Sequence, residues 1–141
     1  MHIMTEVREA ALKALYRMDV ADGSPAECLE GVCGPQFPPE VKKRLAVIFF
    51  GVVEHLKEMD RTIAGHSKNW TLDRMPVIDR NILRIAVYEL LYSPDVPYRV
   101  VIDEAVQLAK RFGSEDSGAF VNGVLDTLSK DIVSGKAVCA R

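Results

Sequence analysis

The chain has 141 residues, of which 48% are hydrophobic and 27% are charged, and its formal net charge is −2 at pH 7. These values are typical of one globular domain, and they exclude a globally disordered chain and a protein that coats nucleic acid by bulk positive charge. No apolar run approaches the ~20 residues of a membrane helix, and three cysteines give no disulfide framework, so we expect a cytoplasmic protein.

Apolar residues recur at helical spacing in almost every segment of the N-terminal half. A first helix is predicted from about residue 5 to residue 20, followed by a turn and a short helix in ADGSPAECLEGVCG. The stretch GPQFPPE is predicted to be a rigid loop, because its three prolines cannot continue a helix. One long helix is predicted from about Pro39 to Ala64, and a mixed segment follows it.

The C-terminal half predicts three further helices. The stretch PVIDRNILRIAVYELLY is apolar on almost all sides, which is typical of a central, buried helix. The next helix should run from about Tyr98 to Phe112 and end at Gly113. In the last helix Ala119, Gly123 and Thr127 share one face, and their small side chains predict a close approach by a neighbouring helix.

We therefore expect an all-α fold of two packed helical bundles with about six or seven helices. The chain should form a single domain over residues 1–141, with a smaller N-terminal bundle over about 5–70 and a larger C-terminal bundle over about 76–133. The break at the proline-rich loop suggests this division.

No catalytic or metal-binding constellation is found in the sequence. The three histidines are far apart, and Cys28 and Cys33 lack the spacing and the second pair of a zinc site. No glycine-rich phosphate loop or nucleophile motif is present. We expect a binding protein that is not an enzyme and carries no cofactor.

Arg80 and Arg84 lie one turn apart on a helix that is otherwise apolar. Their face must either meet acidic groups inside the protein or open onto a ligand. Arginines beside exposed aromatic rings are the chemistry that holds single-stranded RNA, and Tyr16 and Phe120 could supply the rings. By spacing alone, however, Phe120 is predicted to be a core residue.

Three stretches carry a resemblance to a known family: REAALKALYRMDV, ILRIAVYELLY and DVPYRVVIDEAVQLAKRFGSEDSGAFVNGVLD. They resemble the NusB family of bacterial transcription antitermination factors. The resemblance extends from about Arg8 to Leu128 and is weak between Ala21 and Leu72. It implies a fold of two packed helical bundles, in agreement with the helical pattern.

The resemblance also implies partners. Members of the family pair with NusE, a ribosomal small-subunit protein, bind the boxA sequence of nascent RNA such as ribosomal RNA, and help RNA polymerase to read through terminators. On the RNA side the resemblance implies Arg8, Lys13, Arg80, Asp116 and Phe120. On the surface facing NusE it implies Tyr16, Asp79 and Arg84.

One departure affects the expected RNA affinity. The family often begins with an arginine-rich segment, whereas MHIMTEVRE contains a single arginine. Each lost phosphate contact weakens RNA binding, so we expect weak binding by the isolated chain and rescue by NusE. Two alternatives stay open: a self-associating homodimer without RNA binding, and the detached N-terminal domain of a ribosomal RNA cytosine methyltransferase.

Overall fold

A computed structural model of the protein describes residues 3–21, 23–67 and 70–133. These residues form helices and no strand, which confirms the all-α fold class. None of the described helices is both long enough and apolar enough to cross a bilayer. In chain order the elements are α1 (Ile3–Val20), α2 (Pro25–Val32), α3 (Pro39–Glu54), α4 (Leu56–Ala64), a 3-10 turn (Leu72–Arg74), α5 (Val77–Tyr92), α6 (Tyr98–Phe112) and α7 (Ser117–Val133).

Helix α5 is the centre of the molecule. It packs against α1, α3, α4, α6 and α7, and Ile82, Leu83 and Val87 on it are fully buried. This is the environment expected for a helix that is apolar on almost all sides. Because α1 packs on α5 as well as on α2 and α3, one continuous core joins the two halves. The division into bundles over 5–70 and 76–133 stays a prediction.

The short helix α2 begins at a reciprocal cap. The Ser24 hydroxyl accepts a hydrogen bond from the backbone N–H of Glu27, and the Glu27 carboxylate accepts one from the backbone N–H of Ser24. Pro25 occupies the first turn, where its missing N–H costs nothing. These local interactions explain why eight residues form a helix between two loops.

The prediction of one helix from Pro39 to Ala64 is wrong, because the chain breaks at His55. The backbone there leaves the helical region, with φ −106° and ψ 25°, and α4 begins at the next residue. The His55 ring stacks on Tyr92 of α5 with ring centroids 4.8 Å apart. On either side of the break, α3 and α4 both pack against α5.

The prediction of a close helix contact through Ala119, Gly123 and Thr127 is also wrong. All three residues are exposed, and a Cβ added at Gly123 would meet no atom within 4 Å. Helix α7 instead buries its opposite face, which carries Val121, Val124, Leu125 and Leu128. Nothing in the packing of this helix explains the glycine.

Candidate functional site

The turn between α6 and α7 lies beside the start of α5, and a small cavity lies between them. We call this cavity the aromatic pocket; its volume is about 240 Å³. Two of its lining residues are large aromatics, and two are carboxylates. The lining residues are Trp70, Pro76, Asp79, Ser114, Asp116 and Phe120.

A hydrogen-bond network fixes the wall of the aromatic pocket. The Ser117 hydroxyl donates to Oδ1 of Asp79 at 2.7 Å and accepts from the backbone N–H of Ser114 at 2.9 Å. Gly113 makes this turn possible, because a Cβ there would overlap the side chain of Ser117. Asp79 is only 3% exposed, and its burial raises the pKa of the carboxyl although the bond from Ser117 opposes the change.

A second, larger cavity opens on the neighbouring face, between α1, α2 and the end of α6. We call it the Tyr16 groove; its volume is about 710 Å³. Tyr16 is 40% exposed and contributes an aromatic face with a hydroxyl. The lining residues are Leu12, Lys13, Tyr16, Arg17, Gly31, Val32, Ile78 and Phe112.

Cations gather over one end of the Tyr16 groove. The Lys13 ammonium lies 5.9 Å and the Arg111 guanidinium 5.0 Å from the centroid of the Phe112 ring. Glu9 pairs with both cations, at 3.4 Å to Lys13 and 2.8 Å to Arg111. Both side chains are about half exposed, so these ion pairs are open to competition from another anion.

Arg8 does not belong to this surface, which corrects the expectation that it binds RNA. Its residue is 4% exposed; Nε and Nη2 donate to the two oxygens of Glu89, each at 2.8 Å, and Nη1 donates to Glu104 at 3.3 Å. Burial acts to lower the pKa of Arg8, but the hydrogen bonds and charge of Glu89 outweigh it, and the pKa is raised. A guanidinium committed to two carboxylates inside the core is not available to a phosphate.

Arg84 is likewise a structural residue, which corrects its expected contact with NusE. Its Nε and Nη2 donate to the Asp60 carboxylate at 2.8 Å and 2.9 Å, and its Nη1 donates to Asp19 at 3.1 Å. The residue is 7% exposed. Of the two alternatives for the arginine face of α5, the structure therefore favours acidic groups inside the protein.

Arg80 ties α5 to the preceding segment and to α1. Its Nη1 donates to the carbonyl oxygen of Leu72 at 3.1 Å, and its Nη2 donates to Asp19 at 3.0 Å. The Nε atom is buried and has no hydrogen-bond partner among the described residues. The side chain keeps a small exposed fraction, so contact of Arg80 with RNA stays a prediction.

The other expected site residues line two separate cavities. Lys13 and Tyr16 line the Tyr16 groove, whereas Asp79, Asp116 and Phe120 line the aromatic pocket. Phe120 is half-buried and packs against the core with part of its ring, so the spacing prediction of a core residue holds in part. The structure does not bring Tyr16 and Asp79 into one cavity.

Sequence reasoning missed Trp70 and Phe112, which line these cavities, and Arg111, whose guanidinium lies over the Phe112 ring. Trp70 is 47% exposed, and a lone tryptophan in the polar stretch GHSKNWTLDRM was a usable signal, because tryptophan is highly buried on average and an apolar core face is not predicted there. Arg111 gave no such signal. It belongs to a basic pair at the end of α6, where cations also stabilise the helix dipole.

Similarity to known proteins covers both cavities. The model of the NusB family matches residues 5–130. Transcription antitermination protein NusB of Desulfatibacillum aliphaticivorans is 47% identical over 125 residues, which are 86% of this chain and 85% of that protein. The protein of the same name from Bacillus velezensis is 44% identical over 127 residues, which are 90% of this chain and 95% of that protein.

Solved structures agree with this assignment. T. maritima NusB has a TM-score of 0.85 and 38% identity, and the match covers 90% of each chain. A chain from the crystal structure of antitermination factors NusB and NusE in complex with dsRNA has a TM-score of 0.84 and 29% identity, covering 92% of this chain and 98% of that one. By sequence and by fold, then, this chain belongs to the NusB family.

Proposed function

We propose that this chain is a transcription antitermination protein, not an enzyme, that binds boxA-type RNA together with NusE in the RNA polymerase antitermination complex. Its relatives carry that name, and one similar chain was crystallised with NusE and RNA. The observation that carries the proposal is the contact of two chemically different surfaces at the start of α5. Ile78 lines the Tyr16 groove, and the next residue, Asp79, lines the aromatic pocket.

The Tyr16 groove suits a protein partner. Its floor is apolar, through Leu12, Val32 and Ile78, and its rim carries the cations Lys13 and Arg17. A tyrosine over an apolar floor with a charged rim is the usual composition of a protein interface, and tyrosine is enriched among the residues that contribute most to affinity. We assign this groove to NusE.

The RNA side comprises the α6–α7 turn and the two cations above Phe112, which are Arg111 of α6 and Lys13 of α1, the latter at the border with the Tyr16 groove. Phe120 offers a partly exposed ring, and Lys13 and Arg111 offer positive charge above Phe112. Arg8 lies inside the core and adds no positive charge to this surface. We therefore expect the isolated chain to bind RNA weakly and NusE to supply further positive charge. This activity belongs in the cytoplasm, where bacterial transcripts emerge.

Two measurements test the proposal, beginning with capture of NusE by the immobilised chain. Tyr16→Ala should weaken NusE binding by at least tenfold, because the ring is the exposed aromatic of the groove. Tyr98→Ala is the matched control: Tyr98 is 38% exposed, lies on α6 outside the groove, and should bind NusE normally.

The second measurement is fluorescence anisotropy of a labelled boxA oligonucleotide, titrated with the chain alone and with the NusE complex. We expect weak binding by the chain and clearly tighter binding by the complex. Equal capture of NusE by Tyr16→Ala and the native chain would contradict the assignment of the groove. Light scattering adds a further check, since a homodimer that neither NusE nor RNA dissociates would favour the self-association alternative.

A further inference from the structure

The aromatic pocket combines two aromatic rings with two carboxylates, and contact with RNA phosphates does not explain this combination. Trp70 comes from the segment before the 3-10 turn, and Phe120 comes from the first turns of α7. The Ser67 hydroxyl donates to the carbonyl oxygen of Trp70 at 2.9 Å, which restrains the backbone that carries the indole. A restrained indole left 47% exposed at a cavity offers a stacking surface.

The polar part of the same wall consists of hydrogen-bond acceptors and one hydroxyl. Asp79 and Asp116 contribute carboxylates, Ser114 contributes the hydroxyl, and no cation is among the described lining residues. Carboxylates repel phosphate, so the sugar–phosphate backbone of an RNA would not enter. They accept hydrogen bonds well from the amino groups on the edges of cytosine, adenine and guanine. Uracil presents a carbonyl oxygen where cytosine has its amino group.

We propose that the aromatic pocket holds one unpaired, amino-bearing base of the bound RNA, with its ring packed on Trp70 and Phe120 and its amino group donating to Asp79. This inference rests on the proposed RNA binding and adds a base-specific site to it. Trp70 becomes a binding residue. Asp79, which the resemblance assigns to the surface facing NusE, becomes instead the residue that selects the base, because it shares a cavity with Phe120 and not with Tyr16.

The environment of Asp79 supports this selection. The carboxyl is buried, and among the described residues Ser117 is the one side chain that donates to it. A buried carboxylate ordinarily gathers several donors, and here burial raises the pKa of Asp79 while only the bond from Ser117 opposes the change. An amino group from a base would supply a further donor on the pocket side.

The chain contains a built-in probe of this pocket, because Trp70 is its only tryptophan. We would titrate the protein, alone and with NusE, with a boxA oligonucleotide while recording tryptophan fluorescence and, in parallel, anisotropy of labelled RNA. Stacking should quench the fluorescence of Trp70 along the same curve as the anisotropy. The Trp70→Phe variant has no tryptophan, so its complex shows the background fluorescence that comes from NusE. Addition of NusE without RNA shows how far the protein partner itself changes the fluorescence of Trp70.

The outcomes separate the two proposals. Absence of RNA binding by anisotropy, with or without NusE, would overturn the proposed function and this inference together. RNA binding without quenching would overturn this inference alone. Quenching by NusE with no further change on adding RNA would also overturn it, because the pocket would then hold a side chain of the partner.

Variants give the magnitude and the specificity. Trp70→Ala should weaken RNA binding about five- to 150-fold, the factor that corresponds to the loss of one stacked base, and Trp70→Phe should weaken it less. Tyr98→Ala, which removes a partly exposed aromatic ring outside the aromatic pocket, should leave the affinity unchanged. Oligonucleotides with one abasic position each identify the nucleotide that enters the pocket, because its loss abolishes the quenching of Trp70. At that position the Asp79→Asn variant should bind uracil better, relative to cytosine, than the native protein does, because an amide offers both a donor and an acceptor. An unchanged preference would remove Asp79 from the selection of the base.

Discussion

The guanidinium of Arg8 on α1 and the carboxylate of Glu89 on α5 form a two-point ion pair inside the core, with both N–O distances 2.8 Å. Side chains of both residues are almost fully buried. Such a pair is costly to desolvate, and removal of one partner leaves the other charge uncompensated in the interior.

Arg8→Ala is therefore expected to destabilise the protein by about 3–5 kcal/mol. The double variant Arg8→Met with Glu89→Leu should recover most of this loss, because no buried charge is left alone. Urea unfolding followed by circular dichroism measures both. A stable Arg8→Ala variant with weakened RNA binding would instead restore Arg8 to the RNA surface.

Gly51 on α3 is expected to tolerate no side chain. A Cβ at this position would overlap the ring of Tyr88, which is held between α3 and the stacked Tyr92. Gly51→Ala should destabilise the protein by roughly 1–3 kcal/mol, the usual cost of overpacking a rigid contact. The thermal unfolding midpoint is the measurement, and a midpoint equal to that of the native protein would show that Tyr88 moves aside freely.

At Gly123 on α7, substitution by alanine is expected to change stability in the opposite direction. A Cβ there enters open space within a regular helix, so Gly123→Ala should stabilise the protein by about 1 kcal/mol through higher helix propensity. Gly51→Ala is its natural counterpart, since the substitution is the same and only the surroundings differ. A loss of stability at Gly123 would mean that this exposed face packs against something in solution.

Asp79 makes stability depend on pH. Because burial raises its pKa in the folded protein, the folded state binds more protons than the unfolded state between the ordinary value of 3.8 and the raised value. The contribution of Asp79 to stability is thus fully present below pH 3.8 and is lost as the pH rises through the raised pKa of the folded protein. Asp79→Asn does not titrate, so its stability relative to the native protein should increase from pH 4 to pH 7. Equal differences at both pH values in urea unfolding would contradict this.

Much of the fold could be predicted from the sequence, because helical periodicity and proline positions are local signals. The apolar stretch of α5 predicts its central place, and Gly113 predicts the end of α6. The break at His55 could not be predicted, since the residues that stabilise it, Tyr88 and Tyr92, come from a helix more than 30 positions away. The exposed face of Gly123 was missed because spacing shows which residues share a face but not which way that face points.

The site was harder to predict for the same reason. From the sequence, Arg8 is expected to be a surface cation. It is a core residue because it pairs with Glu89, 81 residues later in the chain. Phe120 could be assigned to the core or to the RNA edge, and it is half-buried. Trp70 could be suspected from its polar surroundings, but its meeting with Phe120 at one cavity joins the segment before the 3-10 turn to α7, and spacing along the chain does not show such a meeting.

The distance along the chain between Arg8 and its acceptors also bears on how the protein is made. Glu89 and Glu104 follow Arg8 by 81 and 96 residues, so a ribosome that adds about 5–20 residues per second delivers Glu89 roughly 4–16 s after Arg8. During this interval α1 carries the unpaired guanidinium of Arg8 on the face that is buried in the folded protein. The nascent protein therefore cannot complete its interior until α6 has been synthesised.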